Sequence, residues 1–73
     1  MEPTPIDVGR NVRAARISAG LTQQRLAACA GVSFQTVRNI EQGRVRQPSI
    51  TVVHRLAEAL GCSIDELVTG AAA

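Results

Sequence analysis

Phe34, Gln35, Arg38 and Asn39 fall within six consecutive positions. On a helix, Gln35 and Asn39 are four apart and so stand one above the other, as do Phe34 and Arg38. A primary amide presents a donor and an acceptor side by side. It can bond N6 and N7 of an adenine together, with about 1–3 kcal/mol of discrimination against the wrong base. A guanidinium matches guanine or a phosphate, and a phenyl ring packs on a thymine methyl. Each residue also has a plainer reading: an ordinary polar helix face, a solvated arginine, and a phenylalanine propping a turn. The surrounding pattern has to decide between them.

That pattern is two short helices joined by a tight turn. Val37 and Ile40 have helical spacing and must face inward, which turns Phe34, Gln35, Arg38 and Asn39 outward. Ser33 is placed to cap this helix, accepting from the amide of Gln35 or Thr36. Before it, Leu26, Ala27 and Ala30 form one face of another helix, with Ala27 small enough for a close crossing. Gly31 follows where the chain must bend with φ > 0. Val32 plugs the turn. The layout is a helix-turn-helix.

The rest of the chain reads as support for that unit. Thr4-Pro5-Ile6-Asp7 is a start signal, with Thr4 as cap and Pro5 at the first helical position, for a helix reaching about Ala19. Val8, Val12 and Ala15 face the core, Gly20 ends this helix and Leu21 is the next apolar anchor. Thr22 caps the helix that carries Gln23 in its first turn, where a phosphate is readily held. The recognition segment ends at Gly43. Arg44-Val45-Arg46-Gln47-Pro48 is a loop, because Pro48 disfavours helix at Gln47, and its arginines can lie along a phosphate backbone. Ser49 caps a helix to Leu60 with Ile50, Val53, Leu56, Ala57 and Leu60 as its core stripe. Gly61 stops it. Ser63 and Glu66 form a capping box for a last short helix, with Ile64 and Leu67 inward.

A chain of 73 residues is one domain, spanning 1–73 with an ordered core from about 5 to 69 and short tails. At this size only about 60% of the unfolded surface is buried, so the core is small. One aromatic residue leaves Leu, Ile, Val and Ala to build it, and recurrent helical periodicity makes the class all-α. The net charge of +2 hides an asymmetry. All eight arginines lie between Val8 and Ala57 against one acid, Glu41, a local charge of +7; the other five acids lie outside. The basic region contains the two-helix unit, as a polyanion would require.

Membership of some classes is disfavoured. No run of about 18 apolar residues exists and the N-terminus is acidic, so no membrane span or secretory signal is expected. Cys29 and Cys62 are expected as free thiols in a reducing compartment. Cys29, His54 and Cys62 are too scattered for a zinc pattern, so no metal is expected. With one histidine and no Gly-rich phosphate loop, no nucleophile–base set can be assembled; neither an enzyme nor a cofactor is expected.

GLTQQRLAACAGVSFQTVRNIEQG followed by PSITVVHRLAEALGCSIDEL resembles the phage-repressor and Cro-type helix-turn-helix family, the XRE-like regulators, over about Val8 to Val68. The resemblance implies a compact five-helix, lambda-repressor-like fold with the third helix in the major groove of double-stranded DNA. It implies base contacts from Phe34, Gln35, Arg38 and Asn39, and phosphate contacts from Gln23, Arg44, Arg46 and Gln47. It also implies a structural ion pair between Arg16 and Glu41; unpaired, Glu41 would repel DNA. The implied function is a transcriptional regulator, a repressor acting as a homodimer, cytoplasmic and associated with the nucleoid. Two departures stand out. Phe34 occupies a position more often polar, and Gln24-Arg25 replaces a commonly acidic pair. The alternative is a protein-interaction module of the same fold, an antitoxin or adaptor, with a partner seated on an apolar patch that includes Val52, Val68 and the alanine tail.

Overall fold

Helix α1 runs Val8–Ser18, α2 Gln23–Ala30, α3 Phe34–Glu41, α4 Ile50–Leu60 and α5 Ile64–Thr69 in the structure, a computed structural model that describes residues 7–70. There is no strand among the described residues. The expected all-α, five-helix arrangement is found.

The caps carry most of the element boundaries. Thr22 Oγ1 accepts from the Arg25 amide, Ser33 Oγ from Thr36 and Ser49 Oγ from Val52, each at the position read from sequence. Such a cap contributes about 0.5–2 kcal/mol by satisfying an otherwise orphaned amide. Ser63 and Glu66 form the reciprocal capping box of α5. Gly31 ends α2 in the left-handed region at φ 69°, as the tight turn requires.

The start of α1 differs from expectation. Asp7 is the cap, its Oδ1 accepting from the Arg10 amide at 3.0 Å, and the helix begins at Val8. Asp7 itself is non-helical; the expected cap Thr4 and first helical residue Pro5 lie outside the described residues. A carboxylate three residues before a free amide made the stronger cap.

The core joins all five helices: Val8 and Val12 from α1, Leu26, Ala27 and Ala30 from α2, Val37 and Ile40 from α3, Val53, Leu56 and Ala57 from α4, and Leu67 from α5. Full burial of a leucine, isoleucine or valine is worth about 1.5–3 kcal/mol, so these few side chains dominate the folding energy. Ile50, expected in the α4 stripe, is instead 67% exposed. It is the first residue of α4, and helical side chains lean toward the N-terminus. Ile50 therefore reaches past the end of the core, while Val52, off the stripe, packs against it.

Two contacts invisible in any local pattern fix α1 on its neighbours. Gly9 is buried where α1 crosses the end of α3, and a Cβ there would collide with the carbonyl oxygen of Ile40. Asn11 turns its amide onto α5, with Nδ2 donating to the carbonyl of Leu67 at 2.7 Å and, more weakly, to that of Val68. The carbonyls at the end of a six-residue helix need such partners.

Candidate nucleic-acid interface

α3 has two unlike faces. Val37 and Ile40 are fully buried, at 0% and 1% exposure. Phe34, Gln35 and Arg38 are exposed and Asn39 is half-buried. The arrangement follows from the alternation of residue types along the eight-residue helix. Gln35 Nε2 donates to Asn39 Oδ1 at 3.2 Å, so the two amides are already aligned on one side. The Gln35 carbonyl and the Asn39 amide nitrogen remain available for a base edge.

The loop after α3 is tied to it. The amides of Arg44 and Val45 both donate to the carbonyl of Asn39, at 2.9 and 3.4 Å, and Gly43, at φ 77°, makes the reversal possible. Arg44, Arg46 and Gln47 are exposed beyond this closure. Arg10, Arg13 and Arg25 are exposed as well. The structure thus puts four candidate base readers on one helix face and three candidate phosphate ligands on the loop leaving its end.

The expected ion pair is present. Arg16 Nε donates to Glu41 Oε2 at 2.7 Å and Arg16 Nη2 to Glu41 Oε1 at 3.0 Å. The remaining guanidinium nitrogen, Nη1, donates to the carbonyl of Leu21 at 2.7 Å. The Glu41 side chain is 2% exposed and that of Arg16 13%. Hydrogen bonding to Glu41 raises the Arg16 guanidinium above its ordinary range, against the effect of burial, with the charge of Glu41 adding to the rise. A two-pronged Arg–carboxylate pair of this kind is among the stronger polar contacts in proteins. It neutralises the one acid of the basic region.

Gln23 is where the structure adds most to the sequence. Its side chain is half-buried, and Nε2 donates to Glu41 Oε1 at 3.1 Å. Spacing alone could not show this partner, 18 positions away. Arg55 was also missed: from α4, its Nη1 reaches the carbonyl of Gly31 in the turn at 3.3 Å.

The other groups weighed for chemistry do not converge. Cys29 is exposed on α2, Cys62 is half-buried at the start of the α4–α5 turn, and both are free. Burial, then the charge and hydrogen bond of Glu66, push the Cys62 thiol above its ordinary pKa. His54 pairs with Glu58 on the surface of α4 at 2.8 Å. Among the described residues no three His, Cys, Asp or Glu side chains are grouped to hold a metal ion, and no helix is long and apolar enough to cross a membrane.

The helix-turn-helix family HTH_3 matches residues 12–67, more than half of the chain. The chain belongs to that family. A relative in Sinorhizobium fredii, the uncharacterized HTH-type transcriptional regulator y4dJ, is 44% identical over 62 residues, covering 85% of this chain and 79% of its own length. The restriction-modification controller protein C.AhdI from Aeromonas hydrophila superposes with a TM-score of 0.78 at 32% identity, over 85% of this chain and 92% of that one. The P22 c2 repressor, solved in complex with a synthetic operator, superposes with a TM-score of 0.80 at 29% identity, over 93% of this chain and all of that one. The resemblance to the phage-repressor type and the five-helix fold are both borne out.

Proposed function

We infer that the chain is a sequence-specific, double-stranded-DNA-binding transcriptional regulator without enzymatic activity, a repressor acting as a homodimer. The observation that carries this is the division of α3: a buried apolar face, and an opposite face offering two pre-aligned amides, a guanidinium and a phenyl ring. The family and the operator-bound P22 c2 repressor support the same reading. With α3 in the major groove, Gln35 and Asn39 would read adenine, Arg38 guanine or a phosphate, and Phe34 a thymine methyl. Arg44, Arg46 and Gln47 would hold phosphates and set the register. Gln23 stands at the N-terminus of α2, where a phosphate is readily held. Occupying promoter DNA would repress transcription, in the cytoplasm and on the nucleoid.

The dimer would use the apolar side of a groove lined by Val8, Pro48, Ile50, Val53 and Val68, with Arg46 and Gln47 along its other edge. Exposed Ile50 adjoins half-buried Pro48 and Val68, and contiguous apolar surface is what a second protein surface covers. The same groove supports the alternative of an antitoxin or adaptor, with a different protein seated in it.

Selection of binding sites from a random-duplex pool at fixed moderate salt tests the reading. Enrichment of a palindrome with half-sites about one helical turn apart, roughly 10 bp, is expected. A folded protein that enriches nothing would overturn specific DNA reading and leave the protein-partner alternative. On the selected operator, Gln35→Ala should lower specific affinity far more than affinity for random DNA, whereas Arg44→Ala should lower both alike. Equal behaviour of the two variants would sink the division of roles.

A further inference from the structure

We propose that Phe34 makes the domain a reader of the C5-methyl group of a pyrimidine, so that methylation of cytosine at the base pair it faces strengthens operator binding. The proposal rests on the DNA-binding reading and names a regulatory input to the same site. It starts from what Phe34 lacks. Gln35, Arg38 and Asn39 bring hydrogen-bonding groups to the outer face of α3, whereas a phenyl ring brings none. Phe34 is the one aromatic side chain of the protein. It lies outside the core that closes over Val37 and Ile40 of the same helix, and it is 38% exposed.

Its place on the helix matters as much. Phe34 is the first residue of α3, directly after the Ser33 cap, and helical side chains lean toward the N-terminus. The ring therefore leads the helix. In helix-turn-helix proteins the N-terminal residues of the recognition helix are the ones that meet base edges. The hydroxyls nearest to it in sequence, Ser33 and Thr36, bond to each other at 2.7 Å, so both already have a partner within the helix.

Chemistry then selects what the ring can face. In the major groove guanine presents N7 and O6, adenine N7 and the N6 amino group, and cytosine the N4 amino group; thymine adds to its O4 a methyl group on C5. Against the first three, the ring would strip water from a polar edge and return no hydrogen bond. Against the methyl group it buries carbon on carbon. The ring cannot sense what lies beside that methyl, whether O4 accepting in thymine or the N4 amino group donating in 5-methylcytosine. To Phe34 those two bases are equivalent, and uracil and unmethylated cytosine are equally deficient. Any further difference between a thymine and a cytosine pair comes from the polar readers. An operator with cytosine at this pair is then bound more tightly once a C5-methyltransferase has acted on it.

Deoxyuridine and 5-methylcytosine test this, because one removes and the other adds the same methyl group while every hydrogen-bonding group of the base stays in place. Each thymine of the selected operator is replaced in turn by deoxyuridine, symmetrically in both half-sites. At one position affinity should fall about fourfold per half-site, the scale of one buried methyl group. A duplex with cytosine at that position should gain the same factor when the cytosine is methylated at C5. Phe34→Ser should bring both ratios to one. No phosphate is involved, so the ratios should not change with salt. Each ratio compares two duplexes with one protein, and a lowered folded fraction cancels from it.

Ratios near one in the unaltered protein, or ratios that survive Phe34→Ser, overturn the proposal. The second result, together with a lowered melting temperature, would assign Phe34 to propping the turn. A selection that enriches no operator would overturn specific DNA binding and this proposal with it. An operator bound without regard to its methyl groups would count against the Phe34 assignment alone.

Discussion

The seam between α1 and the end of α3 and the groove beside the start of α4 are built on opposite principles. At the seam every contact is internal. Glu41 is wrapped by Arg16 and Gln23, and Gly9 lets two backbones meet where any side chain would stop them. At the groove, Ile50 stands 67% exposed beside Val8, Pro48 and Val68. The first region spends buried polar groups on fixing one helix. The second leaves apolar surface uncovered. In a domain this small, the contacts that hold α3 and the uncovered apolar surface lie in separate places, so each can be disturbed without the other.

Removing the charge at the seam should have the largest effect. Arg16→Met leaves the Glu41 carboxylate buried without its cation at the negative end of α3. Breaking such a pair from one side costs about 3–5 kcal/mol, a large share of the roughly 5–15 kcal/mol that holds a typical domain together. Urea unfolding should show a midpoint near or below the start of the accessible range. A loss under about 1 kcal/mol would mean that the pair behaves as a surface contact and that the contrast with the groove is overstated. Gly9→Ala comes next. Alanine is the better helix former, yet its methyl group meets the Ile40 carbonyl oxygen, and overpacking of this kind costs about 1–3 kcal/mol. An unchanged or raised melting temperature would show that the seam can open without penalty.

Ile50→Glu disturbs the other region. Stability should change by no more than about 0.5 kcal/mol, as for most exposed positions, while sedimentation should shift from dimer toward monomer. An unaltered association state would remove this groove as the pairing surface. The smallest effect is at Cys62, packed at the base of α5. The fold holds its thiol neutral beyond the ordinary range, chiefly through burial and then through Glu66. That contribution to stability is complete below the ordinary thiol pKa and fades as the pH rises above it. In mildly alkaline buffer, exposed Cys29 should be alkylated by iodoacetamide well before Cys62, as followed by peptide mass spectrometry. Equal rates in the folded protein would mean that α5 is not held against α1.

Where sequence succeeded and where it fell short follows the range of the interactions. Thr22, Ser33, Ser49 and Ser63 cap their helices through atoms three residues away, and Val37 and Ile40 declare the inner face of α3 by their spacing. Such signals are local and were legible. So was the outer face with its four candidate base readers, as the complement of the buried one. Asp7 caps α1, and the local pattern, with Thr4 and Asp7 three residues apart, did not say which of the two cap residues precedes the helix. Ile50 kept the helical period of the α4 stripe, but the period says nothing about where the rest of the protein ends. Gly9, Asn11 and Gln23 owe their roles to partners 18 to 57 positions away, and no window along the chain contains both halves of those contacts.

One backbone detail bears on which DNA this domain can tolerate. The Asn39 carbonyl receives the amides of both Arg44 and Val45. The side chain proposed for a base edge and the loop proposed for the sugar–phosphate track thus spring from a single hydrogen-bonded closure, like the two jaws of a caliper set to one opening. A duplex whose groove does not match that opening must be bent or narrowed to fit, at an energy that depends on how stiff its base steps are. Two sites with identical contacted bases would then be told apart by the flexibility of the base pairs between them, which no side chain touches.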